Sequence, residues 1–303
     1  MYVNSITHKQ GKSQMDQPKN VRITRDENDH YHSQTQYISS SAIKTIAKKS
    51  VSHYLRQEPY SGPALAIGSA FHTLVLEPEL FEKEYLVLGK KIDRRTKAGK
   101  AEMAAIEAEA IANNQSVVMA NDHNMIQSMA KSVSENEDYQ KALDNCAKEV
   151  SIYIEDFRIP GLDADLRVRV RPDAYCKDQI CIGDTVYPNV VIDLKSCQDA
   201  SPRGFKYAVY QFGWHIQAAF YLDLMTHVSK SLGLDEPFNN FLLLAVEKSV
   251  PYSAQMYRLS DDMIAEGRKQ YQKALRMWHH YLTTNEELGY HSGDDLPQCI
   301  IEL

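Results

Sequence analysis

The stretches Arg171-Pro-Asp173 and Val190-Val-Ile-Asp-Leu-Lys195 decide how this chain folds. The second stretch opens with three β-branched apolar residues, which predict a buried strand. Side chains alternate between the two faces of a strand, so Asp193 and Lys195 are expected to share one face. Asp173 follows another predicted strand, and pairing of the two strands would bring Asp173 next to Asp193.

Two carboxylates placed side by side predict a metal site, because they repel each other unless a positive charge neutralises them. Mg²⁺ is a hard cation that prefers oxygen ligands, and Mn²⁺ is expected to substitute for it. The ammonium of Lys195 would then lie beside the metal, where it can orient or deprotonate a water molecule. The alternative is structural, since Pro-Asp pairs are common in turns and Asp-x-Lys often forms a surface ion pair.

The helix predicted downstream of Lys195 carries two polar residues on one face. It covers Gln211 to Met225, and within it Gln217 and Tyr221 are four residues apart. Residues at this spacing lie one above the other on a helix, so both side chains can point back at the sheet. The alternative is a buried amphipathic helix in which the amide and the hydroxyl are only hydrogen-bonded.

A short apolar helix is predicted upstream, from Ala64 to Leu76, and Pro78 helps to end it. His72 lies off the apolar stripe of this helix and one turn after Gly68. A glycine there permits the close approach of another backbone or of a ligand. His72 is either a ligand at the site or an ordinary residue at the edge of a helix.

The segment from Tyr31 to Lys44 is rich in hydroxyl groups. Ser39 or Ser40 is a credible N-cap for a helix that runs to about Tyr54. The free N–H groups at such a helix start can receive a phosphate, which makes both serines candidate DNA-binding residues. The segment is equally consistent with a well-capped helix and nothing more.

Three arginines of the predicted strand from Leu166 are expected to point the same way: Arg167, Arg169 and Arg171. Asp173 falls on that same face, so the three guanidinium groups could follow a phosphate backbone towards the metal. The face could equally be an exposed one that favours solubility. A second basic cluster at Lys90–Lys100 predicts either a mobile loop that contacts DNA or a solvated helix start.

In this order the motifs resemble those of the RecE-type exonucleases, which are exonuclease VIII and its phage relatives, within the PD-(D/E)xK superfamily. The matching stretches are Tyr31-His with Ile38-Ser-Ser-Ser41, Gly68-x-x-x-His72, Pro172-Asp173, Asp193-x-Lys195 and Gln217-x-x-x-Tyr221. The resemblance covers roughly residues 30–285. It implies an α/β fold with the restriction-endonuclease-like core of that superfamily, a mixed central sheet flanked by helices.

The resemblance also implies a role for each motif. The metal ligands for Mg²⁺ would be His72, Asp173, Asp193 and the Leu194 carbonyl. Lys195 would position the attacking water, and Gln217 and Tyr221 would orient Lys195 or hold DNA. Asp173, Asp193, Lys195, Gln217 and Tyr221 form the expected catalytic set.

The activity that the resemblance implies is 5′-to-3′ digestion of linear double-stranded DNA. The products would be 3′ single-stranded tails for a strand-annealing partner in phage recombination, in the cytoplasm of a bacterial host. Members of the family form rings, so a homo-oligomeric ring is expected, with a tetramer favoured over a trimer. The alternatives are an endonuclease or a 3′-directed exonuclease of the same fold, or a non-catalytic DNA-binding protein that has kept the fold.

Composition sets wider bounds. The chain has 303 residues, of which 43% are hydrophobic, and its net charge is −6. This is ample for one globular domain, and the acidic balance argues mildly against nucleic-acid binding unless the basic groups are clustered. Without a long apolar run or an apolar signal-peptide core, no membrane association is expected. The five cysteines show no metal-binding spacing, which suits a reducing cytosol and predicts no iron–sulfur cluster.

The organisation along the chain follows from these patterns. Residues 1–28 are polar and expected to be loosely ordered, and residues 29–303 form one domain with a helical part at 39–146 and a catalytic α/β core at 149–285. The predicted strands within the core include 149–157, 166–175, a hairpin near 180–186, 190–195, 241–246 and 254–259. Glu149 opens the first of them and could complete the metal site or be an ordinary charge at a strand end, the second being favoured slightly.

Overall fold

The computed structural model describes residues 20–58, 62–90 and 92–290. The strands are β1 (Val21–Thr24), β2 (Ile38–Ser39), β3 (Tyr85–Leu88), β4 (Ser116–Met119), β5 (Ala147–Lys148), β6 (Ser151–Phe157), β7 (Leu166–Val170), β8 (Ala174–Ile182), β9 (Thr185–Cys197), β10 (Asn240–Glu247) and β11 (Ala254–Arg258). The helices are α1 (Asn28–Ser33), α2 (Ser40–Lys48), α3 (Val51–Arg56), α4 (Pro63–Leu76), α5 (Pro78–Glu84), α6 (Lys97–Ala112), α7 (Ala120–Ser134), α8 (Glu137–Asp144), α9 (Pro202–Phe212), α10 (Trp214–His227) and α11 (Asp261–Thr284).

The main sheet has five strands in the order β11-β10-β9-β8-β5. β9 lies at its centre, antiparallel to β8 and parallel to β10, so the sheet is mixed. A second sheet has the order β1-β6-β7-β2, and β3 pairs with β4 in a small third one. The mixed α/β fold expected from the sequence is confirmed.

Helices cover both faces of the main sheet, because its central strand is apolar on both sides. Val191 packs with α2, α10 and α11, whereas Val190 and Ile192 pack on the opposite face with α4, α7 and α8. All three valine and isoleucine side chains are at most 1% exposed. Burial on both faces is what a continuous apolar run in a central strand predicts.

Two predicted elements are interrupted in the structure. The strand expected over 166–175 breaks between Val170 and Ala174, and its two halves, β7 and β8, belong to different sheets. Pro172 lies in the break, where its missing N–H costs no ladder hydrogen bond. The helix expected from Ser39 or Ser40 to about Tyr54 divides into α2 and α3, because the hydroxyl of Ser50 accepts a hydrogen bond from the N–H of His53 and caps a new start.

The boundary expected at residue 28 is wrong for the residues just before it. β1 pairs antiparallel with β6, from Val21 opposite Ile154 to Thr24 opposite Ser151. The polar composition hid this edge strand, whose backbone is held by the neighbouring strand. Residues 1–19 lie outside the described part of the chain.

The described part of the chain bears on two expectations from composition. In the described ranges no helix has both the length and the apolar composition needed to cross a membrane. The cysteines described there are free thiols, and they are Cys146, Cys176, Cys181 and Cys197. Cys299, on which the expectation of no iron–sulfur cluster partly rests, lies outside the described residues.

The last helix packs unusually close to α10. A Cβ atom built on Gly267 of α11 would lie 2.1 Å from the carbonyl oxygen of His215 at the start of α10. Only a residue without a side chain allows the two backbones to approach this far. Through this contact, α11 holds α10 against the main sheet.

We therefore expect Gly267→Ala to destabilise the protein by about 1–3 kcal/mol, because the backbone of α10 must shift to admit the methyl group. The matched control is Gly68→Ala in α4, where the nearest atom to the added Cβ is Ser196 Oγ at 3.6 Å, an ordinary contact. Urea unfolding should show a loss for Gly267→Ala and no loss for Gly68→Ala. Equal stabilities of the two variants would contradict the close packing.

Candidate metal and nuclease site

The Asp173 carboxylate lies in the turn that joins the two sheets, between β7 and β8. Its Oδ2 accepts a hydrogen bond from the N–H of Leu194 at 2.7 Å and lies 3.4 Å from Nδ1 of His72. The sequence correctly predicted that these three residues come together. In a strand the N–H and C=O of one residue point to the same edge, so the Leu194 carbonyl also faces the Asp173 side.

Glu149 joins this cluster. One ligand atom each from His72, Glu149 and Asp173 lie within 4.8 Å of one another. The N–H of Glu149 donates to the carbonyl oxygen of Asp173 at 3.2 Å, and its φ of 51° is a left-handed conformation that costs a non-glycine residue about 1–3 kcal/mol. Glu149 therefore lies where it could complete the metal site, and its role as a ligand stays a prediction.

The carboxylates of the cluster are buried without enough positive charge to neutralise them. Burial, and after it the charge of the nearby Asp173, raises the pKa of Glu149 to about 9. The pKa of Asp173 is also raised, first by burial and then by the charge of Asp193. Two carboxylates that hold protons in this way, with an imidazole beside them, are suited to a divalent cation, and oxygen-rich sets of this kind suit Mg²⁺ or Mn²⁺.

Asp193 and Lys195 share one face of β9, as the alternation in the sequence predicts. The Lys195 ammonium forms an ion pair with Oδ2 of Asp193, whose side chain is only 1% exposed. Burial opposes the charge on Lys195, but Asp193 and Asp173 outweigh it and raise the pKa of the ammonium. Lys195 therefore stays protonated and can donate hydrogen bonds beside the cluster.

Gln217 of α10 holds Asp193 from the other side. Its Nε2 donates to Oδ1 of Asp193 at 2.7 Å, so the prediction that this helix aims a polar side chain at the sheet is confirmed. The contact is with Asp193 and not with Lys195, which corrects the expected partner. Gln217 acts on the lysine through the carboxylate that both residues contact.

Lys44 of α2 is a member of this site that the sequence did not predict. Its Nζ donates to Oε1 of Gln217 at 3.1 Å. Burial, and after it the charge of Lys195, lowers the pKa of Lys44 to about 8. An ammonium can only donate, so it fixes the amide oxygen towards α2 and leaves the amide N–H₂ group to face Asp193.

Tyr221, one turn after Gln217, has a different contact from the expected one. Its hydroxyl donates to the carbonyl oxygen of Arg171 at 3.3 Å. Burial raises the pKa of Tyr221 well above its usual value, so the hydroxyl remains a donor. Tyr221 supports the turn that carries Asp173, and no contact of its hydroxyl with Lys195 is found among the described residues.

The N-terminal segment engages two of the three arginines on the expected face. Arg169 is 7% exposed, lies over the Tyr31 ring and donates to the carbonyl oxygen of that residue. Arg171 donates to the Asp26 carbonyl at 2.8 Å and to the Asn28 side chain at 2.7 Å. The expectation is wrong for Arg169, because the N-terminal segment covers it. Arg171 is half-buried and held by the same segment, and its contact with DNA stays a prediction.

The other candidate DNA-binding residues are either exposed or engaged in structural contacts. Arg167 is exposed but pairs with Glu155 at 2.8 Å. Ser39 caps α2 by accepting from the N–H of Ala42 at 3.4 Å, and the Ser40 hydroxyl is buried without a hydrogen-bond partner in the described chain. Their contact with DNA stays a prediction.

The basic cluster at 90–100 lies at the exposed start of α6. Lys90 pairs with Glu102, and Arg95 pairs with Asp93 at 3.0 Å. The second half of the cluster is helical from Lys97 onwards, capped by Thr96. A role of this cluster in DNA contact stays a prediction.

A mixed sheet whose central strand presents Asp-x-Lys beside the Asp of a Pro-Asp turn defines a nuclease of the PD-(D/E)xK class. The chain belongs to the family described as a PDDEXK-like domain of unknown function (DUF3799), whose model matches residues 32–294. No curated protein matches this sequence.

A solved structure has a similar fold. It is a crystal structure described as a "putative exonuclease" from Eubacterium rectale, and the two chains share 15% sequence identity with a TM-score of 0.54. The similarity covers 87% of this chain and 89% of that chain. At this identity the likeness concerns the fold alone.

If Lys44 fixes the amide of Gln217, Lys44→Met should lower DNA cleavage by about tenfold, the scale of one hydrogen bond to a charged group. Stability should hold, because methionine buries a similar chain without a charge. The matched control is Lys49→Met, which removes an exposed ammonium at the C-cap of the same helix. Equal cleavage rates for Lys44→Met and the unmodified protein would remove Lys44 from the site.

Without metal, Glu149 should make the protein less stable as the pH rises. The carboxyl binds its proton more tightly in the folded state, with a pKa of about 9, than in the unfolded chain, where about 4.3 is usual. Its contribution is complete below the unfolded pKa and is lost as the pH rises towards about 9. Thermal melts in EDTA should show this loss, and Glu149→Gln should lessen it; parallel pH profiles would contradict the assignment.

Proposed function

We propose that this protein is a metal-dependent exodeoxyribonuclease that degrades linear double-stranded DNA from the 5′ end. The observation that carries the proposal is the convergence of His72, Glu149 and Asp173 within 4.8 Å, next to the buried Asp193–Lys195 pair. A structural ion pair needs neither the histidine nor the additional carboxylates. Phosphodiester hydrolysis uses this combination of an acidic cation site and a nearby ammonium group.

The cation site would consist of Asp173, Glu149, His72 and, on the adjoining strand, Asp193 with the Leu194 carbonyl. When bound, Mg²⁺ or Mn²⁺ supplies positive charge for the scissile phosphate and lowers the pKa of water. Lys195, held protonated by Asp193, donates a hydrogen bond to the attacking water or to the developing negative charge. Gln217 and Lys44 keep the Asp193 carboxylate in the orientation that holds this ammonium.

The polarity and the biological role rest on the order of the motifs. The sequence from Tyr31 through His72 to Gln217 and Tyr221 resembles the RecE-type exonucleases, which supports 5′-to-3′ digestion that leaves 3′ single-stranded tails. A single-strand annealing protein would be the partner that uses these tails in recombination. A homo-oligomeric ring, a tetramer rather than a trimer, would keep a mildly acidic chain on its DNA by enclosure.

An endonuclease or a 3′-directed exonuclease of the same fold is the second candidate, because the cluster of carboxylates and lysine serves either. A non-catalytic DNA-binding protein is less well supported. Such a protein would gain nothing from a strained backbone at Glu149 or from the cost of burying Asp193.

Asp193→Asn preserves the size of the side chain and removes the charge that holds Lys195, and Lys195→Ala removes the ammonium itself. Each change should lower cleavage by at least ~10²-fold, the usual scale for one electrostatic catalytic group. Circular dichroism should show that both variants remain folded. Near-normal cleavage by folded Asp193→Asn protein would contradict the assignment of this site.

The choice between the candidate activities needs end-labelled DNA. With Mg²⁺ we expect early release of a 5′ label, later release of a 3′ label, and no cut in covalently closed circles. Nicking of the circles would indicate an endonuclease, and early release of the 3′ label would reverse the polarity. Light scattering on the same sample should give several chain masses, whereas a monomer that digests long duplexes without dissociating would contradict the ring.

A further inference from the structure

Helix α9 directly follows the catalytic strand and presents an unusual exposed face. Its exposed residues recur three and four apart, which places them along one side of the helix. These residues are Arg203, Lys206, Tyr207 and Tyr210. Tyr207 is 70% exposed and Tyr210 41% exposed, so neither ring contributes fully to the core. Large aromatic rings in water on a helix that has its own buried face indicate a binding surface.

The charge of this face is opposite to that of the whole chain. The protein carries a net charge of −6, yet α9 contains no Asp or Glu. Neither Arg203 nor Lys206 forms an ion pair with any residue that the structure describes. Two free cations interleaved with two exposed aromatic rings match the chemistry of a phosphate backbone with accessible bases.

A chain of aromatic contacts joins the C-terminal end of α9 to the catalytic lysine. The Lys195 ammonium lies 5.5 Å from the centre of the Trp214 ring. Trp214 stacks on Phe212, with ring centres 5.2 Å apart, and Phe212 at the end of α9 is 53% exposed. An exposed aromatic ring therefore lies at the C-terminal end of α9, two residues after Tyr210, and connects this end of the helix with the site.

α9 is held firmly enough to act as a platform. Phe205 and Val209 bury its opposite face in the core. Lys48 donates to the carbonyl oxygens of Tyr210 and Gln211 at 2.9 and 2.7 Å, which ties the C-terminal end of α9 to α2. A fixed platform loses little conformational freedom when it binds a ligand.

We propose that the exposed face of α9, together with Phe212, binds unpaired nucleotides of a DNA strand next to the cleavage site. Bases would stack on Phe212 and Tyr207, and Arg203 and Lys206 would contact the phosphates between them. The inference rests on the proposed nuclease function, because an enzyme that removes one strand of a duplex must hold unpaired nucleotides near the scissile bond. The free cations favour a polyanion over a second copy of this acidic chain as the occupant.

The test is the binding of a fluorescent oligothymidylate, followed by anisotropy in EDTA so that no cleavage occurs. An abasic oligonucleotide of equal length carries the same charge without bases and serves as the matched probe. Tyr207→Ala and Phe212→Ala should each weaken binding of the oligothymidylate by roughly fivefold or more, with little change for the abasic probe. Tyr290→Ala, which removes a ring that is 58% exposed beside His53, is the control and should bind as the unmodified protein does.

Arg203→Gln with Lys206→Gln should weaken the binding of both probes and lower the slope of log affinity against log salt by about 0.7 for each cation removed. Unchanged oligothymidylate binding in the aromatic variants would overturn the proposal. So would a change of oligomeric state in light scattering, because α9 would then be an interface between copies of the chain. Binding is measured without metal, so it tests the α9 surface apart from the chemistry. A protein that cleaves no DNA would contradict the proposed nuclease function and would not alter the binding result.

Discussion

The repulsion among buried carboxylates is the constraint on which the rest of this structure depends. Asp173, Glu149 and Asp193 converge where three chain segments meet, and burial makes each negative charge costly. The surrounding residues offset these negative charges in different ways. Lys195 neutralises Asp193, the Leu194 N–H binds Asp173, and Glu149 retains a proton. A divalent cation would supply the positive charge that these contacts do not provide.

The same constraint explains why helices beyond the carboxylates help to hold them in place. Gln217 binds Asp193 through its amide N–H₂ group while Lys44 of α2 binds its amide oxygen, so the contact of α2 with α10 supports the orientation of this amide. Helix α10 is in turn pressed towards the sheet by α11, at the contact that requires Gly267. A chain of packed helices thus sets the orientation of one carboxylate, which is how a folded domain holds reacting groups in place.

Local rules were enough to predict part of this site from the sequence. Alternation along β9 places Asp193 and Lys195 together, and helical spacing places Gln217 on the face towards the sheet. The rest depends on long-range packing. The left-handed backbone of Glu149 has no signature in a glutamate, and the alternation that aligned the arginines could not show that a distant segment covers Arg169.

The turn that carries Asp173 is held by residues from two distant parts of the chain. From within the core, the Tyr221 hydroxyl binds the Arg171 carbonyl, and from outside, Asp26 and Asn28 bind the Arg171 guanidinium. The family match begins only at residue 32, after these two contacts. A fragment cut at that boundary would keep the motifs from Ile38 onwards and still lose the groups that tether Arg171. The functional unit of this nuclease therefore starts earlier in the chain than the region by which its family is recognised.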